Sequence, residues 1–110
     1  MTVSAPLGEF EVVVLLAVLH LREDAFGSAV RDEIERRSGR AVSRGSVYIT
    51  LDRLEDKGLL GSRLADASAS RGGRPKRFFR VTTAGRKGLK HSIAMLSRMH
   101  RGLEPILGEL

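Results

Sequence analysis

The stretch Ser43-Arg44-Gly45-Ser46-Val47-Tyr48-Ile49-Thr50-Leu51-Asp52-Arg53-Leu54-Glu55-Asp56-Lys57-Gly58 decides how this chain is read. Ser43 is a good N-cap, because its hydroxyl can accept from a first-turn amide that has no helical partner. Val47, Leu51 and Leu54 recur at the spacing of one helical face, and Gly58 is a stop. The pattern predicts a helix over Arg44–Lys57. With that stripe turned inward, Gly45, Ser46, Ile49, Thr50 and Arg53 fall on the outer half, and Arg44 and Tyr48 lie on a flank. A helix approaches base edges closely only if its leading side chains are short, as Gly45 and Ser46 are. Ser, Thr and Arg supply donors, and Ile49 can touch a thymine methyl. The Tyr48 hydroxyl suits a backbone phosphate. Each residue has a plainer role open to it: Ser43 as a cap alone, Thr50 as a surface residue, Tyr48 as a packed aromatic. The joint pattern, with an outward Ile49, favours a DNA-reading helix.

Upstream, Phe26 to Ser38 reads as a helix with Phe26, Val30 and Ile34 on one face, and Gly39 stops it. Ala41-Val42 has the character of a very short strand. Two helices separated by a short turn form a helix-turn-helix pattern, in which the second helix enters the major groove. Further back, Glu9–Leu21 reads as a helix with Glu9 and Glu11 at its positive end. Phe10, Val13, Val14, Ala17 and Leu21 make one stripe, but Val12, Leu15, Leu16, Val18 and Leu19 cover most of the rest. Such a helix is buried on more than one side, and in so small a domain a second chain is expected to cover the second side. Arg22–Ala25 is a polar connection.

Downstream, Leu59-Leu60 return to the core. Ser62–Ala65 and Lys76–Thr82 read as strands, joined by a tip over Asp66–Pro75 that is rich in Ser, Ala, Gly and Arg. The cations Arg71, Arg74, Lys76 and Arg77 are placed to reach backbone phosphates or a minor groove. No Gly-Lys-Ser/Thr follows the glycines, so this is not a phosphate-binding P-loop. Phe78, Phe79 and Val81 are expected to fill the core. Thr83 is read as the cap of a last helix running from about Ala84 to the end. There Leu89, Ile93, Leu96, His100, Leu103, Leu107 and Leu110 are spaced 4, 3, 4, 3, 4, 3, a heptad seam. Met95, Met99 and Ile106 widen it, and Pro105 interrupts it. The expected dimer interface is Phe10 and Val14 of the first helix with Leu89, Ile93, Leu96, Met99, His100, Leu103 and Leu107 of the last.

Charge is distributed unevenly. Residues 39–90 carry 13 basic and 4 acidic side chains, whereas residues 1–38 carry 4 basic and 7 acidic. A local positive excess favours a polyanion. The chain has no cysteine, so disulfides and thiolate zinc sites are excluded. His20, His91 and His100 lie far apart, with no metal-ligand spacing, and neither a metal nor a cofactor is expected. Val12–Leu19 is too short an apolar run to span a bilayer. Neither a membrane span nor a signal peptide is expected, and a cytoplasmic place follows. No nucleophile–base pair, carboxylate cluster or cofactor loop points to an enzyme.

The chain resembles the PadR family of transcriptional regulators. The resemblance is carried by Leu7-Gly8-Glu9-Phe10-Glu11 with Leu15-Leu16-Ala17, by Phe26-Gly27, by Gly45-Ser46-Val47-Tyr48 with Leu51-Asp52-Arg53-Leu54-Glu55 and Gly58-Leu59, and by Arg71 to Thr82 followed by Ala84-Gly85. It implies a mainly α fold with a small β hairpin, a winged helix-turn-helix over 7–83 and a C-terminal dimerisation helix over 84–110. It implies a homodimer binding double-stranded DNA at a roughly palindromic operator as a repressor, with Tyr48 on the DNA backbone. Family members often carry two tyrosines where this chain has Phe78-Phe79, so a hydroxyl contact there is lost. The chain has no tryptophan, so a tryptophan-lined drug pocket does not carry over. The competing function is a winged-helix module that binds protein and has no DNA affinity. The competing use of Met95 and Met99, expected as dimer core, is a small apolar effector site between subunits.

Overall fold

A computed structural model describes residues 6–65 and 75–108. Helices α1 (Glu9–Leu21), α2 (Gly27–Ser38) and α3 (Arg44–Asp56) are followed by strands β1 (Leu60–Leu64) and β2 (Arg77–Val81), a long α4 (Thr83–His100) and a one-turn α5 (Glu104–Leu107). A 3-10 turn, Arg22–Asp24, leads from α1 towards α2. The chain is mainly helical with a small hairpin, as the pattern predicts.

The helix ends follow from local chemistry. The Glu11 carboxylate accepts from the Gly8 amide at 2.9 Å, satisfying a donor just ahead of α1. Ser43 Oγ accepts from the Ser46 amide at 3.0 Å at the start of α3. Gly39 and Gly58, with φ of 70° and 76°, turn the chain out of α2 and α3, a conformation that costs glycine little.

α1 runs through the middle of the core. Its Val14, Leu15, Ala17 and Val18 meet Val30 and Ile34 of α2, Val47, Leu51 and Leu54 of α3, Leu60, Phe79 and Val81 of the hairpin, and Leu89 of α4. Each fully buried Leu or Val stabilises the fold by about 1.5–3 kcal/mol relative to exposure. The all-round apolar character of α1 is therefore largely satisfied within one chain. Val14 is wholly buried and Leu89 nearly so, which corrects their assignment to a subunit interface: neither has surface left to offer. Phe10 is half-buried, with the Arg40 guanidinium 5.3 Å above its ring.

β1 and β2 pair antiparallel from Leu60↔Val81 to Leu64↔Arg77, and the Ala65 amide extends the ladder to Lys76 O at 2.7 Å. Phe79 and Val81 face inward and Arg80 faces solvent. The segment before α2 covers the other edge of β2. The Phe79 amide donates to Ala25 O at 2.8 Å, Phe26 bridges Phe78, and the two rings meet edge to face at 5.5 Å. Ala41-Val42 forms no strand. Instead the Val42 amide donates to Glu35 Oε2 and its carbonyl accepts from Arg31 Nε, so side chains replace the missing strand partner.

The cap of α4 is Thr82 and not Thr83. Thr82 Oγ1 accepts from the Gly85 amide at 3.0 Å and donates to Gly58 O at 2.7 Å, while its own amide donates to Leu59 O at 3.1 Å. Leu89 and Ser92 are the last buried residues of α4, and Ile93 to Met99 are all exposed. The expected continuous heptad helix is broken. Arg101 is extended (ψ 130°), Gly102 has φ 93°, and α5 restarts the helix with Pro105 in its first turn, where a missing N–H is harmless. Leu103 and Leu107 therefore do not continue the α4 stripe. Leu110, the last seam position, lies outside the described residues.

Candidate nucleic-acid interface

The outer face of α3 is built by what its inner face must bury. Val47, Leu51 and Leu54 sit in the core. This leaves Ile49 61% exposed and Tyr48 41% exposed, with Arg44, Gly45, Ser46 and Arg53 also on the surface. A side chain at Gly45 would meet open space, so the leading end of the helix is unobstructed. Ser43 Oγ is 2.7 Å from Ser46 Oγ as well as bonded to the Ser46 amide. Both hydroxyls stand at the N-terminal end of α3. Thr50 is the exception. It is 5% exposed and belongs to the core side, so it has nothing to offer a base edge.

Tyr48 lies against the first turn of α2. A Cβ at Gly27 would stand 2.2 Å from Tyr48 Cε1 and 2.5 Å from its hydroxyl oxygen. Only glycine admits the ring at this distance. Gly27, Ser28 and Tyr48 line a cleft of about 290 Å³ together with Pro75, Lys76 and Arg77 of the wing and the rings of Phe26 and Phe79. The Lys76 ammonium is 4.1 Å from the centre of the Phe26 ring. The cleft joins the positive N-terminal end of α2, a phenol and a wing lysine, a set of groups suited to a phosphate oxygen. Gly27 and Ser28 were not among the expected contacts. The available sign was the glycine opening α2, whose meaning depends on a tyrosine 21 positions away.

Arg77 differs from the other wing cations. Its guanidinium donates to Asp52 Oδ1 at 2.9 Å, to Glu55 Oε1 and to Ser62 Oγ at 3.2 Å. Its donors are thus engaged by α3 and β1, unlike those of a cation held free for a phosphate. Arg71 and Arg74 lie outside the described residues. Arg63 and Arg80 also stand exposed on the hairpin, Arg63 over the Phe78 ring at 4.8 Å. Among the described residues no group of three or more histidine, cysteine, aspartate or glutamate side chains is placed to hold a metal ion.

Carboxylates on the protein's own side hold these elements together. Burial pushes the Glu11 carboxyl up. The hydrogen bonds from Lys57 and the Gly8 amide, with the lysine's charge, outweigh that and leave it below the ordinary carboxylate range. This pair, at 2.6 Å, ties α1 to the residue just past α3. The Glu55 carboxyl is also lowered, first by the Ser62 hydroxyl and then, against some burial, by Arg77.

At the expected second interface, Ile93, Met95, Leu96, Met99, Leu103, Ile106 and Leu107 are all exposed. His100 is turned inward, with Nδ1 3.7 Å from Glu104 Oε2.

Three helices around one core, a turn between α2 and α3, and a hairpin directly after α3 make this a winged helix-turn-helix regulator. The model of the transcriptional regulator PadR-like family matches residues 15–91, and the chain belongs to that family. It is 38% identical over 98 residues to Transcriptional regulator Rv3488 of Mycobacterium tuberculosis, covering 84% of this chain and 85% of that protein. It is similar to a PadR family transcriptional regulator from Eggerthella lenta, with TM-score 0.68, 26% identity, and 93% and 88% of the two chains covered. The fold is shared with a PadR family regulator from Clostridium difficile, with TM-score 0.71, 22% identity, and 90% and 99% covered. The family and these relatives are transcriptional regulators, not enzymes. No helix among the described residues is long and apolar enough to cross a membrane.

Proposed function

We propose that the chain represses transcription by binding double-stranded DNA as a homodimer at a pseudo-palindromic operator, in the cytoplasm and on the nucleoid. The observation that carries this reading is the outer face of α3. Ile49 stands 61% exposed beside the short Gly45 and Ser46, next to a basic wing. A large apolar side chain held in water opposite a packed core is matched by a thymine methyl at the floor of a major groove. In this reading Ser43, Arg44, Gly45, Ser46, Ile49 and Arg53 face bases or flanking phosphates. Tyr48, Lys76, Arg71 and Arg74 hold the backbone.

The unit over 7–83 binds DNA, and the segment over 84–110 pairs two copies through Ile93, Leu96, Met99 and their neighbours. Pairing places two copies of α3 roughly 34–36 Å apart, one duplex turn. Apolar side chains exposed in a row on α4 support this pairing, because monomers rarely leave such a patch open. Met95 and Met99 would line any small apolar effector site at the same surface.

The test is a titration of the chain against the DNA upstream of its own gene and a scrambled duplex, at several salt concentrations. Specific binding should weaken steeply with salt, and the combined Tyr48, Arg71 and Arg74 to alanine variant should bind poorly. An affinity insensitive to salt, or unchanged in that variant, refutes the reading. A protein-docking module would bind no duplex at low salt.

A further inference from the structure

The wing and α3 are the two surfaces that must meet DNA together, and one side chain connects them. Arg77 lies at the Leu64↔Arg77 end of the ladder, the end away from the Leu60↔Val81 pair that joins the core. A two-stranded hairpin is only marginally stable by itself, so its outer end needs a further constraint. The edge of β2 has one, through Ala25 and Phe26. On the side facing α3, all three guanidinium nitrogens of Arg77 are used: Nη1 on Asp52, Nη2 on Glu55 and Nε on Ser62. Ser62 Oγ in turn donates to Glu55 Oε2 at 2.5 Å, closing a ring of hydrogen bonds across α3, β1 and β2. The guanidinium also lies 4.9 Å from the centre of the Phe79 ring. Two carboxylates around one cation leave a local negative charge, so this spot does not itself attract a phosphate.

We propose that Arg77 is a positioning residue that sets the pitch of the wing against α3, its charge being neutralised inside the protein and not by DNA. The proposal rests on the DNA-binding reading above for its consequence, but not for its geometry. A planar fork suits two carboxylates and a hydroxyl at once, and an ammonium does not. Lysine at this position should therefore behave like alanine. Glu55 becomes an acidic residue that helps DNA binding, opposite to what charge repulsion alone would do.

The experiment uses Arg77→Ala, Arg77→Lys and Glu55→Ala in the full chain, with two readouts. The first is amide hydrogen exchange without DNA. The Ala65 amide, bonded to Lys76 O at the outer end of the ladder, should exchange about tenfold faster in each variant, a local opening. The Thr82 amide at the root should not change. The second is operator affinity against salt. Each variant should lose about tenfold in affinity, with Arg77→Lys losing as much as Arg77→Ala, because the wing and its phosphate-reaching cations are misplaced whether or not a charge remains at this position. Unchanged exchange at Ala65 overturns the proposal. So does a slope lower by about 0.9 per lost contact in Arg77→Ala with binding kept in Arg77→Lys, the signature of a phosphate contact. If the wild-type chain binds no DNA, the parent reading fails, and the exchange measurement still decides the role of Arg77.

Discussion

Replacing Gly27 by alanine should weaken DNA binding without weakening the fold. The new Cβ would lie 2.2 Å from Tyr48 Cε1 and 2.5 Å from Cζ, whereas carbon atoms pack best at about 3.5–4.0 Å. The ring must therefore move by more than an ångström. Tyr48 is 41% exposed, so it can swing into solvent with little loss of packing. Alanine in place of glycine favours a helix by up to about 1 kcal/mol, less in its first turn. Thermal unfolding should accordingly be unchanged or slightly later. The cost appears in the complex. A hydrogen bond to a charged group is worth about 1.5–3 kcal/mol, so losing the proposed tyrosine–phosphate contact should raise Kd by about ten- to a hundredfold per half-site. Fluorescence anisotropy at fixed salt, paired with a melting curve, measures both effects. Tyr48→Phe should match Gly27→Ala, and the double variant should be no worse than either. Wild-type affinity in a folded Gly27→Ala protein would refute the reasoning, as would simple additivity in the double variant.

Gly85→Ala is the opposite case. Its Cβ would stand 2.2 Å from Leu59 O, a backbone atom held by the Thr82 amide, so nothing can swing aside. A loss of about 1–3 kcal/mol, as for other overpacked sites, should appear in urea unfolding. Gly61→Ala meets only the end of the Arg80 side chain and should be tolerated in the same assay. The folded chain should lose stability in acid. The Glu11 carboxyl lies below its ordinary value of 4.5, so its contribution is complete above that value. It is lost as pH falls through the lower folded value. Glu11→Gln should flatten the acid limb of a urea midpoint measured against pH. Leu96→Glu with Met99→Glu should leave the circular dichroism spectrum intact, and sedimentation should report a monomer if α4 is the pairing surface.

The helices were legible where caps and apolar spacing agree, as at Ser43, Gly39 and Gly58. Errors arose where a one-dimensional pattern stands in for a three-dimensional environment. The apolar stripe puts Thr50 outward, yet at about 100° per residue it lies only about 60° from Val47, inside a buried arc wider than three residues define. The leucine spacing from Leu89 to Leu107 suggested one continuous seam, because spacing takes no account of the turn at Arg101 and Gly102. Counting cations treats Arg77 like the other wing cations, since a count does not show which carboxylates fold back onto it. Val14 and Leu89 read as available for a second chain because α1 is apolar nearly all round and Leu89 opens the heptad seam of α4. One chain wraps α1 far enough to bury both. The contact between Gly27 and Tyr48 could not be read from either residue alone, because it requires the packing of α2 on α3.

Thr82 is the single residue between β2 and α4, and both its amide and its hydroxyl are bonded to the chain just after α3. The wing and the protruding helix are thus geared together with no slack. One residue inserted after Thr82 would turn the exposed stripe of α4 by about 100° about its axis. The same turn would carry Gly85 off Leu59 and Leu89 out of the core, so the stripe and the packing beneath it are set together. The spacing between β2 and α4 is therefore a phase setting that admits no change of length. Along this connection, variation should take the form of substitution and never of insertion.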